Sequence, residues 1–308
     1  MKDLSKHLKV ALVQASPVMF DKDATIEKVC GQILEAGENG AELIVFPESV
    51  IPCYPYGLTY GFTVGSRIEA CRDDWKIYYD NAVLCPSADT DKIGAAAKKA
   101  HAYVSIGYTE REYDNGTLYC SNMIFSPEGE LLCNHRKLKP TGAERIIWGD
   151  ANKDYFPVVD SPWGKMGALI CWENYMPLAR VALYMKGVSL YLCPNTNNNA
   201  QWHATIKHIA VEGKCYVFHV NQYFTKEMYP TGYHGPYNAQ IENMDDVPCN
   251  GGSAVIDPYG NYVTEPVWGK ECIIYADINP DEAARARMEF DPCGHYSRPD
   301  VTELIIHE

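Results

Sequence analysis

The feature that most restricts the fold lies within the first 46 residues. Leu8 to Ala15 is an apolar run of strand length. Asp21 and Asp23 then offer N-caps to a helix whose apolar positions Ile26, Val29, Cys30, Ile33 and Leu34 recur at helical spacing. Gly37 to Gly40 closes that helix, and Glu42 to Phe46 is a second apolar run. Together they form a strand–helix–strand unit, which requires a sheet with a helix laid on its face.

The alternation continues. Asp89 to His101 reads as a helix, and Tyr103 to Tyr108, Tyr119 to Phe125 and Leu131 to Lys137 read as strands, with Pro127-Glu128-Gly129 as a hairpin turn. Lys165 to Ile170, Ser189 to Cys193 and Cys215 to Asn221 are further strands, separated by helices over Leu178 to Lys186 and Ala200 to Glu212. Ser253 to Ile256 and Glu271 to Asp277, with the turn Asp257 to Gly260 between them, precede a last helix from Pro280 to Glu289. Two stretches look irregular: Ile51 to Gly65, rich in Pro, Tyr and Gly and read as a pocket wall or interface, and Tyr223 to Asn250. The alternation alone allows a doubly wound parallel sheet, whereas the hairpins at Pro127 and Pro258 argue for mixed sheets. No repeat, low-complexity linker or Gly/Ser-rich boundary divides the chain. One domain is expected over residues 1–308, with its core at about 8–280 and a C-terminal segment at 281–308.

Three strand ends each deliver a different reactive group. Cys171 ends an apolar run and precedes a helical pattern, so backbone N–H groups and a helix dipole are expected to favour its thiolate, a nucleophile that needs no metal. The plain alternative is a buried small hydrophobe, the usual fate of a cysteine. Against it stands the following Trp172-Glu173-Asn174 turn, where Glu173 and Asn174 can bond the local backbone. Glu48 follows Leu43-Ile44-Val45-Phe46-Pro47, an apolar approach that partly desolvates the carboxyl and makes it a better base than a solvated surface glutamate. Lys137 lies between Arg136 and Lys139, a cluster that is ordinarily a solvated face; alternation puts Lys137 with Cys133 and Leu131, and Lys139 shares that face. His203, beside Trp202, is a lesser candidate base for Cys171.

Phe46-Pro47-Glu48, His135-Arg136-Lys137-Leu138-Lys139-Pro140-Thr141 and Cys171-Trp172-Glu173-Asn174 resemble the Glu, Lys and Cys signatures of the nitrilase superfamily, in the same order, from about Leu8 to Pro299. The long cysteine motif is similar to the nitrilase branch itself. The resemblance selects Lys137 over Lys139, and it matches Glu144 to the family's second active-site glutamate. It implies an α/β fold built as a four-layer α-β-β-α sandwich. It also implies a nitrilase that converts an organic nitrile to carboxylic acid and ammonia through a thioimidate and a thioester on Cys171. Tyr54, Trp148 and Trp172, near these motifs, are expected to line the substrate. Tyr56 to Phe62 with Val64 to Arg67 looks more like arylacetonitrile-preferring and plant-type members than like aliphatic ones. Two departures stand out: Cys53 where glycine is common before Tyr-Pro, and Cys193-Pro194-Asn195-Thr196-Asn197 in a loop that helps shape the pocket. Self-association is implied as well, as a homodimer and in some members a larger spiral.

Composition removes other classes. A net charge of −13 opposes nucleic-acid and anionic-membrane partners. The 12 cysteines contain no C-x-x-C pair, and no H-E-x-x-H, P-loop, G-x-S-x-G or G-x-G-x-x-G motif occurs, so neither metal nor cofactor is expected. A charged start without a secretory pattern, together with unpaired cysteines, points to the cytoplasm. An amidase or cyanide-degrading enzyme of the same superfamily is the first alternative reading, and a non-enzymatic thiol- or metal-binding protein the second.

Overall fold

The computed structural model describes residues 7–197, 199–232 and 235–307. In chain order the strands are β1 (Leu8–Gln14), β2 (Leu43–Val45), β3 (Phe62–Thr63), β4 (Ser66–Arg67), β5 (Val83–Leu84), β6 (Tyr103–Arg111), β7 (Leu118–Phe125), β8 (Leu131–Arg136), β9 (Val159–Ser161), β10 (Gly164–Ala168), β11 (Val188–Asn195), β12 (Tyr216–Asn221), β13 (Tyr223–Phe224), β14 (Cys249–Ile256), β15 (Tyr262–Trp268) and β16 (Cys272–Ile278). The helices are α1 (Lys22–Glu38), α2 (Cys71–Asp80), α3 (Ala88–Ala100), α4 (Pro177–Met185), α5 (Ala200–Gly213), α6 (Gly235–Glu242) and α7 (Asp281–Ala286).

Strand alternation decides how these elements stack. In β1, Val10 and Leu12 face the second sheet, while Ala11 and Val13 face the helices. The first sheet runs β16-β1-β2-β6-β7-β8, with β5 paired to β6, and the second runs β13-β14-β12-β11-β10-β9, with β15 paired to β14. Both are mixed: β1, β2 and β6 are parallel, as are β10, β11 and β12, while β6, β7 and β8 form an antiparallel meander. Leu8, Val10, Leu12, Leu43 and Val45 of the first sheet meet Met166, Leu190, Leu192, Phe218 and Val255 of the second in one buried layer. On the outside, α1 and α3 lay Ile26, Val29, Ile33, Ile93 and Ala97 on the first sheet. On the opposite side, α4 and α5 lay Ala179, Leu183, Trp202, Ile206 and Ile209 on the second. This is the four-layer α-β-β-α sandwich, each buried aliphatic side chain contributing about 1.5–3 kcal/mol of transfer free energy.

The differences from the sequence reading have local causes. Helix α2 escapes the helical pattern because its buried stripe is Cys71, Asp74 and Tyr78, with an aspartate where an apolar residue would mark the face. The turn after Ile256 leads not to the strand expected over Glu271 to Asp277, which is β16, but to β15, whose side chains are mostly half-exposed or exposed. The stretch read as irregular after Tyr223 contains β13 and α6, and the loop read over Ile51 to Gly65 contains β3 and leads directly into β4, its hairpin partner. No helix among the described residues is long and apolar enough to cross a membrane.

Candidate active site

The carboxyl ends of β2, β8, β10 and β11 converge at one end of the sandwich, under the two long loops. Glu48 follows β2 on a turn seated directly on β6: Gly107 N–H donates to the Pro47 carbonyl at 3.1 Å, and Val50 N–H to the Gly107 carbonyl at 3.0 Å. A Cβ at Gly107 would stand 2.4 Å from that Pro47 oxygen and 2.6 Å from Glu48 Cα, so only glycine permits this approach. Ser49, the next residue, takes a left-handed backbone with φ +47°, and Gln222 Nε2 donates to the Glu48 carbonyl at 2.6 Å.

Lys137 leaves the end of β8 and is fully buried between two carboxylates. Its Nζ donates to Glu48 Oε1 at 2.6 Å and to Glu144 Oε2 at 2.8 Å. Glu144 sits in the 3-10 turn Gly142–Ile146, where its Oε2 also accepts from Thr141 N–H at 2.7 Å in a capping box. Tyr54 donates to Glu144 Oε1 at 2.7 Å, and its ring lies 5.6 Å edge-on to Trp148. The buried Trp148 Nε1 has no hydrogen-bond partner among the described residues.

Cys171 opens the 3-10 turn Cys171–Tyr175 with φ +48°, a strained conformation for a non-glycine residue. Its turn is held from both sides. Asn174 Nδ2 donates to the carbonyls of Leu169 and Cys171, while Tyr191 donates to Asn174 Oδ1. Glu173, also buried, accepts from Ile170 N–H just before Cys171 and from Leu138 N–H just after Lys137, and pairs with His135 Nε2 at 3.0 Å. One carboxylate thereby ties together the two strand ends that carry Lys137 and Cys171.

The electrostatics correct one expectation. Helix α4 begins only at Pro177, and dipole effects fade within the first turn. Burial first, and then the charge of Glu48, push the Cys171 thiol well up, so it rests protonated. Burial also raises Glu48, and Glu144 adds to this while Lys137 opposes it. Burial alone would lower Lys137, but the carboxylates Glu48 and Glu144 outweigh it and hold it well up as an ammonium.

The structure thus brings Glu48, Lys137, Glu144 and Tyr54 into direct contact, and Cys171, Trp148 and Cys120 into the same buried cluster. It does not bring the Trp172 ring there: that ring is 49% exposed and packs on Tyr175. His203 bonds Tyr262 and lies against His219 and Trp268, within a different cluster. Two contacts to Glu48 were not read from the sequence. Cys120 donates to Oε1 at 3.4 Å and Thr196 to Oε2 at 3.0 Å. The unusual loop from Cys193 to Asn197 was the available signal for Thr196. Among the described residues no group of three His, Cys, Asp or Glu side chains is placed to hold a metal ion.

The carbon-nitrogen hydrolase family model matches residues 9–288. A protein named aliphatic nitrilase from Sinorhizobium fredii is 43% identical over 97% of this chain and 96% of its own length. Nitrilase 1 of Arabidopsis thaliana is 40% identical over 99% of this chain and 88% of its own. A bifunctional nitrilase/nitrile hydratase of Lupinus angustifolius is 40% identical over 98% and 86%. Among solved structures, Saccharomyces cerevisiae Nit3, a member of branch 10 of the nitrilase superfamily, superposes with a TM-score of 0.76 at 24% identity, covering 97% of this chain and 99% of that one, and shares the fold.

Proposed function

The chain belongs to the carbon-nitrogen hydrolase family, and from that premise we propose that it is a nitrilase that hydrolyses an organic nitrile to the carboxylic acid and ammonia. The observation that carries the reading is the buried Glu48–Lys137–Glu144 chain set against the strained Cys171. Glu48 takes the Cys171 proton, and the sulfur forms a bond to the nitrile carbon. Charge grows on nitrogen, where the Lys137 ammonium donates and Glu48 returns the proton, leaving a neutral thioimidate. A water, deprotonated by Glu48, adds to that carbon; the C–N bond breaks, ammonia leaves with the proton, and a thioester remains. A second water releases the acid and restores the thiol. Glu144 holds Lys137 and is itself held by Tyr54.

Tyr54 and Trp148 form one wall of the site. Beyond Tyr56, whose ring is 6.2 Å from that of Tyr54, lies a cavity of about 460 Å³ with a mixed border of Gly57, Gln240, Asn243, Met244 and Asp245. The Tyr54–Trp148 pair is what supports arylacetonitriles or other aromatic nitriles as substrates. Trp172 acts through its backbone N–H rather than its ring.

The test is ammonia release from phenylacetonitrile, benzonitrile, an aliphatic dinitrile, cyanide and a matching amide, by the wild type and Cys171→Ala. Cys171-dependent release from organic nitriles is expected. Release from the amide or cyanide alone would move the protein to another branch, and full activity of Cys171→Ala would sink the mechanism. A higher kcat/KM for the dinitrile overturns only the aromatic preference. A second reading, in which the tetrahedral adduct expels sulfur and yields amide, draws support from the relative named as a bifunctional nitrilase/nitrile hydratase; the acid-to-amide ratio in the same assay decides it.

Self-association belongs to the same proposal. Its support is the exposed apolar patch of Trp172, Tyr175, Met176 and Leu178 beside the site. A monomer in sedimentation equilibrium would remove it. The twelve free thiols support a reducing, cytoplasmic setting.

A further inference from the structure

One buried residue touches both partners of the opening proton transfer, Glu48 through its side chain and Cys171 through its backbone, and has no part in the scheme above. Thr196 follows the end of β11. Its Oγ1 donates to Glu48 Oε2 at 3.0 Å, and its backbone N–H donates to the Cys171 sulfur. The turn that carries it is pinned. Asn195 Nδ2 and Asn221 Nδ2 donate to the Asn197 carbonyl at 3.4 and 3.2 Å, and Asn197 Oδ1 accepts from Asn199 N–H at 2.9 Å. The other carboxylate oxygen, Oε1, is already taken by Lys137 Nζ and the Cys120 thiol.

We propose that Thr196 is a positioning residue: its hydroxyl orients Glu48 toward Cys171 and keeps that carboxylate in its proton-accepting form. The inference rests on the reading of Glu48 as the base. Seven other titratable side chains bear on Glu48: Lys137 from the end of β8, Glu144 from the 3-10 turn beyond it, Cys120 from β7, Cys171 after β10, Tyr54 from the loop after β2, and Cys193 of β11 and Cys249 of β14, two thiols that burial keeps protonated. Lys137 stays an ammonium, and burial keeps Tyr54, Cys120 and Cys171 protonated. Burial pushes the Glu48 carboxyl up, and the Thr196 hydroxyl opposes that push. A hydrogen bond to a carboxylate favours the charged form, so removing the hydroxyl raises Glu48 further and moves the acidic limb of Cys171 reactivity to higher pH.

The experiment uses iodoacetamide, so it does not depend on the substrate. The rate of Cys171 alkylation is followed by peptide mass from pH 5 to 9 in the wild type, Thr196→Val, Thr196→Ala and Thr196→Ser. The acidic limb is expected to rise by about one pH unit in the Val and Ala variants and to return in the Ser variant. In nitrile hydrolysis the same two variants lose roughly tenfold in kcat at neutral pH with little change in KM. Alkylation profiles of the Val and Ala variants that superimpose on the wild type would overturn the proposal. A wild type that alkylates with this limb yet releases ammonia from no nitrile would overturn the nitrilase reading instead, leaving the role of Thr196 to be judged by the alkylation profiles.

Discussion

At the scale of single residues the site is a matter of who holds the proton. Cys171 and Glu48 are both buried, and burial raises both. The resting thiol is protonated, so in the proposed mechanism catalysis depends on ionised Glu48. Because its carboxyl titrates above the ordinary carboxylate range, activity is expected to rise with pH through that higher range. Glu48→Gln, which keeps the shape and loses the base, is expected to lower kcat by about 10²–10⁴. A kcat within threefold of the wild type would rule Glu48 out as the base. The sequence pattern points to a thiol ionised at a helix terminus, but the helix that follows starts six residues later.

At the scale of elements the question is how strand ends from two sheets are kept in register. Glu173 answers it between β8 and β10, since it bonds the residue before Cys171 and the residue after Lys137. Glu173→Gln sets an amide N–H₂ against one of these N–H donors, with a stability loss of about 2–4 kcal/mol expected. Thermal unfolding and kcat measured together check this: an unchanged melting temperature with unchanged kcat would show that the tie is dispensable. Gly107 does the equivalent for Glu48 on β6. Gly107→Ala must displace the Glu48 turn, since its Cβ would fall 2.6 Å from Glu48 Cα. The expected result is a fall in kcat of roughly tenfold or more, because small misplacements of a catalytic group are expensive in rate. Wild-type kcat in a folded Gly107→Ala protein would refute the seating argument. The helices that carried an apolar stripe were legible in the sequence; α2 was not, because Asp74 interrupts its buried face.

At the scale of the whole molecule, the outer helical layers conceal groups that respond to pH. His219 of β12 is buried under α5 and accepts from Trp202 Nε1 at 3.4 Å, and burial lowers its pKa to about 3. The unfolded chain protonates this histidine near its ordinary value of about 6.5, the folded one only near 3, so folded stability is complete above that ordinary value and is lost as pH falls toward 3. The loss is about 1.4 kcal/mol per pH unit within the window. Denaturation midpoints between pH 6.5 and 5 should fall in the wild type and flatten in His219→Phe; equal slopes would assign the acid sensitivity elsewhere. The sequence by itself determined the layered α/β alternation and which strand ends carry Glu48, Lys137 and Cys171, because periodicity and motif are local properties of a chain. Only the tertiary structure decided that Thr196 and Cys120 share Glu48, that Glu173 joins two sheets, and that the Trp172 ring faces outward. Those contacts join residues up to 148 positions apart, and no local pattern encodes which distant side chains the packing of two sheets will bring together.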